Sequence, residues 1–183
     1  EPKAIMAKGR DFNERIAGLD THQQYYGSYR YKDFVHHIKR SETVPEETVQ
    51  TKDISADDSD YPILAWYSPT DKTVYFYSAE QKIFLNKNCG GMFERFKNLT
   101  NIDFMKELDM TEVTNMSSMF SDMTSIESLD LSFFDTKNVT NMSDMFSNSI
   151  KLSSINFNGF DTSNVTNMNR MFYGLSKMTN IDV

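Results

Sequence analysis

The chain has 183 residues, with 19 Lys and Arg against 26 Asp and Glu for a net charge of −7, and 39% of it is hydrophobic. That is room for one or two small domains with a packed core, while the negative balance and the lack of a basic stripe argue against nucleic acid as a partner. A single cysteine, Cys89, excludes an internal disulfide framework and any multi-cysteine zinc site, and no apolar run is long enough to span a bilayer.

The chain opens on Glu1-Pro2-Lys3, without the charged, apolar and small-residue succession of a signal peptide. Asp11-Phe12-Asn13 with Ile16 predicts a short opening helix, and Tyr31 to Lys39, with Phe34, Val35 and Ile38, reads equally as a strand or a helix. Residues 41–60 are polar, with acidic pairs at Glu46-Glu47 and Asp57-Asp58, and read as a loop. Ile63–Tyr67, Thr73–Tyr77 and Lys82–Leu85 are strand-like runs divided by turn residues, which predicts an antiparallel meander.

Near Asn88 the composition changes. Eleven of the 12 methionines lie at or beyond Met92, whereas eight of the nine tyrosines, all four prolines and the one tryptophan precede it. The second half is repetitive: Val113-Thr-Asn-Met116 returns as Val139-Thr-Asn-Met142 and Val165-Thr-Asn-Met168, every 26 residues. Met119-Phe120, Met145-Phe146 and Met171-Phe172 keep step, as do Leu129, Ile155 and Ile181, and Phe134-Asp135-Thr136 returns as Phe160-Asp161-Thr162. A degenerate earlier copy places Cys89 where later copies carry methionine. Within each unit, Val113, Met116, Phe120 and Met123 have the spacing of one face of a short helix or turn, and Ile126, Leu129 and Leu131 follow as an L-x-x-L-x-L strand signal. Such units bury their apolar sides only by stacking. The methionines then fill gaps between stacked phenylalanines, and the column Asn115, Asn141 and Asn167 satisfies turning backbone.

The run Phe160-Asp161-Thr162-Ser163-Asn164-Val165-Thr166-Asn167-Met168, with Met171-Phe172-Tyr173-Gly174-Leu175, closely resembles the BspA-like bacterial surface protein repeat, a leucine-rich-repeat type. The resemblance covers residues 89–183, and the first half resembles the segment that often precedes such repeats. It implies a secreted or wall-attached protein engaged in adhesion without enzymatic activity. The expected architecture is therefore α+β: an N-terminal capping region with an antiparallel β-meander over 1–88, then a leucine-rich-repeat solenoid of about four units over 89–183, the last incomplete. The apolar pattern runs to Val183 without a degenerate closing copy, so further repeats are expected beyond it.

No P-loop, G-x-G-x-x-G, H-E-x-x-H or G-x-S-x-G string occurs. His22, His36 and His37 lack metal-ligand spacing, so no metal, cofactor or catalytic residue is expected and the chain reads as a non-enzyme. One column invites a binding role: Asp103, Asp130, Asn156 and Asp182 occupy the polar position between the last two apolar strand residues. Stacked strands would align them on the outer face, where a basic partner surface, a cation, or solvent and neighbouring lysines would offset like-charge repulsion. The expected function is adhesin-like binding of a host or neighbouring-cell macromolecule at the cell surface or wall, through many weak contacts. The alternatives are a structural stalk presenting another domain, and a carbohydrate-binding module built on Tyr25, Tyr26, Tyr29, Tyr31, Trp66 and Tyr67.

Overall fold

A computed structural model describes residues 1–19, 32–179 and 181 in full, and the backbone of 25–26 and 29–30. In chain order the elements are β1 (Ala4–Ile5), α1 (Gly9–Ala17), β2 (Tyr25–Tyr26), β3 (Tyr29–Arg30), β4 (His37–Arg40), β5 (Lys52–Asp53), β6 (Leu64–Ser68) and β7 (Thr73–Tyr77). They continue with β8 (Ile83–Phe84), a 3-10 turn over Asp103–Glu107, β9 (Leu108–Asp109), β10 (Ser128–Asp130) and β11 (Ser154–Asn156). The opening helix forms as the apolar spacing predicts: Phe12 and Ile16, four apart, are fully buried on one face.

Among the described residues the strands divide into four small sheets. One is mixed, in the order β4-β7-β6-β5, with β6 antiparallel to both neighbours and β4 parallel to β7. Another is parallel, in the order β1-β8-β9. The remaining two are the β2-β3 and β10-β11 pairs, antiparallel and parallel respectively. The expected meander is thus corrected at its third strand. β8 leaves β7 and inserts between β1 and β9, two short apolar segments it matches in length, while β4 takes the place beside β7. The sheet β1-β8-β9 draws strands from both sides of residue 88, and one continuous apolar core runs from Ala4 to Met171.

The expected leucine-rich-repeat solenoid is also corrected. That fold adds one strand per unit to a single continuous sheet, whereas here β9 pairs with β8, and β10 pairs with β11, in separate sheets. Of the short helix or turn expected in each unit, the described residues form the turn. Ser118, Asp144 and Arg170 have φ of 54°, 54° and 56°, and Asp122, Asn148 and Gly174 have φ of 56°, 59° and 74°. Two left-handed residues four apart break a right-handed helix. The segment becomes a run of turns whose backbone N–H groups alternate between two destinations. Met119 and Ser121 donate three residues back, to Met116 and Ser118. Met116, Ser118, Phe120 and Asp122 donate instead across to the carbonyls of Asn141, Ser143, Met145 and Ser147 in the next unit. The fold is therefore one of short strands in small sheets joined by turns, with one α-helix among the described residues.

The 26-residue copies nonetheless sit in equivalent surroundings. Parallel bridges join Asn88 to Asn115, Asn115 to Asn141, and Asn141 to Asn167. Val113, Val139 and Val165 each donate three residues back, to Met110, Thr136 and Thr162. The rings of Phe93, Phe120, Phe146 and Phe172 form a stacked column with centroids 5.7, 5.9 and 5.8 Å apart, a spacing at which offset aromatic pairs gain beyond simple burial.

Candidate functional site

The expected outward column is only partly assembled. Asp130 and Asn156 are partners in the parallel register of β10 and β11, both exposed, and Asn156 Nδ2 donates to Asp130 Oδ1 at 3.0 Å. Asp103 does not join them: it starts the 3-10 turn, and its carboxylate accepts from Lys106 Nζ at 2.9 Å. The strand position beside β8 falls to Asp109, because the residues between Phe104 and Leu108 are taken up by that turn. Asp182 lies outside the described residues.

The acidic groups that do line the strands are relieved locally. Burial raises the affinity of Asp109 for its proton, but the Lys82 ammonium at 2.7 Å and the Thr111 hydroxyl and N–H outweigh it and leave the carboxyl below its ordinary range. Asp130 is held low by the Ser132 hydroxyl at 2.7 Å and the Ser132 N–H at 3.1 Å, with help from Lys106 and Asn156. Lys106 thus stands between Asp103 and Asp130, and an amide rather than a second carboxylate faces Asp130. Lysine and asparagine thus offset part of the repulsion along the face.

The same short acceptor side chains shape the turns. Asn115, Asn141 and Asn167 each accept, through Oδ1, the N–H two residues on, at 3.0 Å in all three cases. The asparagine column is therefore the turn-forming element that its composition suggests. Beside it, Ser128, Asp130, Ser154, Asn156 and Asn158 border a shallow concavity of about 560 Å³ on the β10-β11 face. Hydroxyl, amide and carboxylate groups there offer hydrogen bonds to a polar surface.

Other titratable candidates do not converge. The Cys89 thiol is buried, which pushes its pKa up to about 12, so it is protonated at neutral pH and packs as a small apolar group. His36 is lowered by burial and by the nearby Lys72 and His37; His22 lies outside the described residues. Among the described residues, no three His, Cys, Asp or Glu side chains are grouped as a metal would need, and no helix is long and apolar enough to cross a membrane.

The aromatic set proposed for sugars is divided. Trp66 stacks on Tyr75 with centroids 5.8 Å apart on one face of the mixed sheet. Tyr67, the next residue, points to the other face, packs edge-on against Phe34 at 4.8 Å and donates its hydroxyl to the Phe34 carbonyl. The side chains of Tyr25, Tyr26, Tyr29 and Tyr31 lie outside the described residues.

Equivalent units bridged asparagine to asparagine, with a shared phenylalanine column, define a repeat-containing protein. Residues 87–183 match the family described as "Mycoplasma protein of unknown function, DUF285", and the chain belongs to that family. The resemblance to the BspA-like leucine-rich-repeat family is corrected by this match, which is to a different description. The L-x-x-L-x-L spacing read as a leucine-rich-repeat strand signal arises here from three-residue strands between turns. No curated protein and no solved structure matches the chain.

Proposed function

We propose that this chain is a non-enzymatic cell-surface protein that binds macromolecules of a host or neighbouring cell through the polar face of its repeats. The observation that carries the reading is the in-register pairing of Ser128, Leu129 and Asp130 with Ser154, Ile155 and Asn156. It sets like polar groups side by side at strand spacing, and contacts that are weak singly add along such a face. The side chains that would have to do chemistry are committed elsewhere: the Cys89 thiol to the core, and Asp109 and Asp130 to lysine, hydroxyl and amide partners. The ligand class that fits is a protein surface rich in lysine or backbone N–H groups, since Asp130 keeps a charge below its ordinary pKa range.

The test is saturable binding of the fluorescently labelled protein to cultured animal cells, before and after their surface proteins are shaved with protease. Binding that is saturable, protease-sensitive and weakened by Asp130→Lys supports the reading. Binding that never saturates, or that is the same on shaved cells, ends it.

A further inference from the structure

Asparagine side chains hold the turns of the repeats, and two of them show how. Asn115 and Asn141 accept through Oδ1 the N–H two residues on, at 3.0 Å, and the N–H that follows each, of Met116 and Met142, donates to the Asn141 and Asn167 carbonyls at 2.9 and 2.8 Å. Both the carboxamide and the neighbouring peptide nitrogen are thereby fixed. Asn158 is different. Its own N–H donates to Asn156 Oδ1 at 3.1 Å, but its carboxamide has no partner among the described residues. The residue after it is Gly159, the one glycine in the sequence that follows an asparagine.

Asn158 and Gly159 are the central residues of a turn that the Phe160 N–H closes on the Phe157 carbonyl at 2.9 Å, and Gly159 has φ of 87°, which glycine takes without strain. The peptide group between them is bonded at neither end: among the described residues the Asn158 carbonyl accepts no hydrogen bond and the Gly159 N–H donates none. It can rotate without breaking a hydrogen bond. Both residues are exposed. That exposure belongs to the turn and not to its place in the chain. In the preceding unit the Phe134 N–H closes the same turn on Leu131, and its first central residue, Ser132, is exposed although Gly159 lies against its carbonyl.

We propose that Asn158 is a site of spontaneous modification, at which the folded protein exchanges a neutral amide for a carboxylate. The Gly159 nitrogen attacks Asn158 Cγ. A C–N bond forms, the Cγ–Nδ2 bond breaks, and ammonia leaves with the proton from the Gly159 nitrogen, so that a five-membered imide closes. Solvent water then opens the ring at one of its two carbonyls. Breaking the new bond to Cγ gives aspartate in the ordinary chain, and breaking the original main-chain bond gives isoaspartate, linked through its side chain. Glycine favours the first step because no side chain obstructs the attacking nitrogen. Asn158 borders the concavity that Asp130 and Asn156 also line, so either product adds negative charge to that face. The conversion stands without the cell-surface reading, and only its effect on binding rests on that reading.

The test holds the full chain at neutral pH, folded in buffer and unfolded in urea, and follows each asparagine by peptide mass spectrometry, with isoaspartate methyltransferase labelling the side-chain-linked product. In the folded chain the Asn158 amide should be lost at least tenfold faster than those of Asn115 and Asn141, at a rate within tenfold of that in urea, yielding both aspartate and isoaspartate. The rate should rise with pH, because the attacking nitrogen must shed its proton. Gly159→Ala should slow the loss at least tenfold, in urea as well, where the strain of a positive φ plays no part. Loss at Asn158 no faster than at Asn115 and Asn141 overturns the proposal, as does an Asn158 that stays intact in the fold while the urea sample converts. A Gly159→Ala chain that converts in urea as fast as the parent overturns it too.

Discussion

Asn13, on the buried face of α1, donates through Nδ2 to the Gly91 carbonyl oxygen at 3.0 Å, and the same amide lies within 3.2 Å of the Met92 and Glu94 carbonyls. One polar side chain thereby covers the acceptors that the first repeat unit turns toward the N-terminal region. The side chain is only 4% exposed, so those carbonyls would not regain water if it were removed. Asn13→Leu should cost about 1–3 kcal/mol, the penalty for leaving a buried acceptor short of a partner, with the loss centred on Met92, since Gly91 O still accepts from the Glu94 N–H and Glu94 O from Lys32 Nζ. Chemical denaturation checks it, with the midpoint falling and the slope unchanged.

The approach of α1 to the first rung also depends on Gly9. A methyl group there would sit 2.5 Å from the backbone carbon and oxygen of Cys89 and from the Gly90 oxygen. None of these is a flexible side-chain end, so the helix itself must move. Gly9→Ala should lower the thermal midpoint more than Asn13→Leu and raise amide exchange at Cys89 and Gly91, whose N–H groups bond to Asn115 and Ser117. A midpoint within a degree of the parent would show that the joint is looser than this packing requires.

Each repeat holds side chains in the left-handed region, where residues other than glycine are disfavoured by roughly 1 kcal/mol. Ser118, with φ of 54°, is the simplest to test. Ser118→Gly should raise stability by up to about 0.5–1 kcal/mol, relief of strain exceeding the added freedom of the unfolded chain. Ser118→Val should lower it by more than that, because branching at Cβ worsens the same clash. Opposite signs for the two variants, read by denaturation, would establish that the backbone at this position is the cause.

These left-handed positions also explain where sequence reasoning reached and where it stopped. The 26-residue period placed Val113, Val139 and Val165 in equivalent sites, and Phe12 with Ile16 marked α1, because burial follows apolar spacing directly. Yet spacing of three and four is shared by a helix and by a run of turns, and Ser118 and Asp122 carry no mark of positive φ as a glycine would. Strand partners were harder still. Nothing in Ile83-Phe84 indicates that it pairs with Ala4-Ile5, 79 residues away. Asp103 looked like Asp130 because both lie between apolar residues, but the residues before Leu108 fold into a 3-10 turn and leave Asp109 in the strand. The capping role of Asn13 had no sequence signal at all, since an asparagine on the apolar face of a helix looks like a flaw until the carbonyls beside it are seen.

The phenylalanine column predicts a gradient. Phe120 and Phe146 are fully buried with a ring on each side, whereas Phe172 is only partly buried and has one stacked neighbour among the described residues. Phe146→Ala should cost about 3–5 kcal/mol through lost contact and the cavity left behind. Phe172→Ala should cost well under half of that, since solvent already reaches its surroundings. Equal losses would mean that the last rung is as well covered as the middle ones.

Acid should destabilise the protein through a small set of carboxylates. Glu112 is held below its ordinary range by the Lys3 ammonium at 2.6 Å, Asp130 by Ser132, Asp161 by the Ser163 hydroxyl and N–H, and Asp109 by Lys82 and Thr111 against its own burial. A carboxyl whose folded pKa lies below its unfolded value, 3.8 for Asp or 4.5 for Glu, stabilises the fold while ionised. That contribution is complete above the unfolded value and is lost as the pH falls through the folded one. The urea midpoint should therefore fall only slightly from pH 7 to about 5, through His36, whose surroundings disfavour its protonation in the fold, and decline more steeply below about 4. In Asp109→Asn the midpoint at pH 7 should be lower and the acid decline shallower. A parallel acid decline in variant and parent would show that Asp109 takes no part in it, and would leave Glu112, joined to Lys3 near the start of β1, as the first carboxylate to examine.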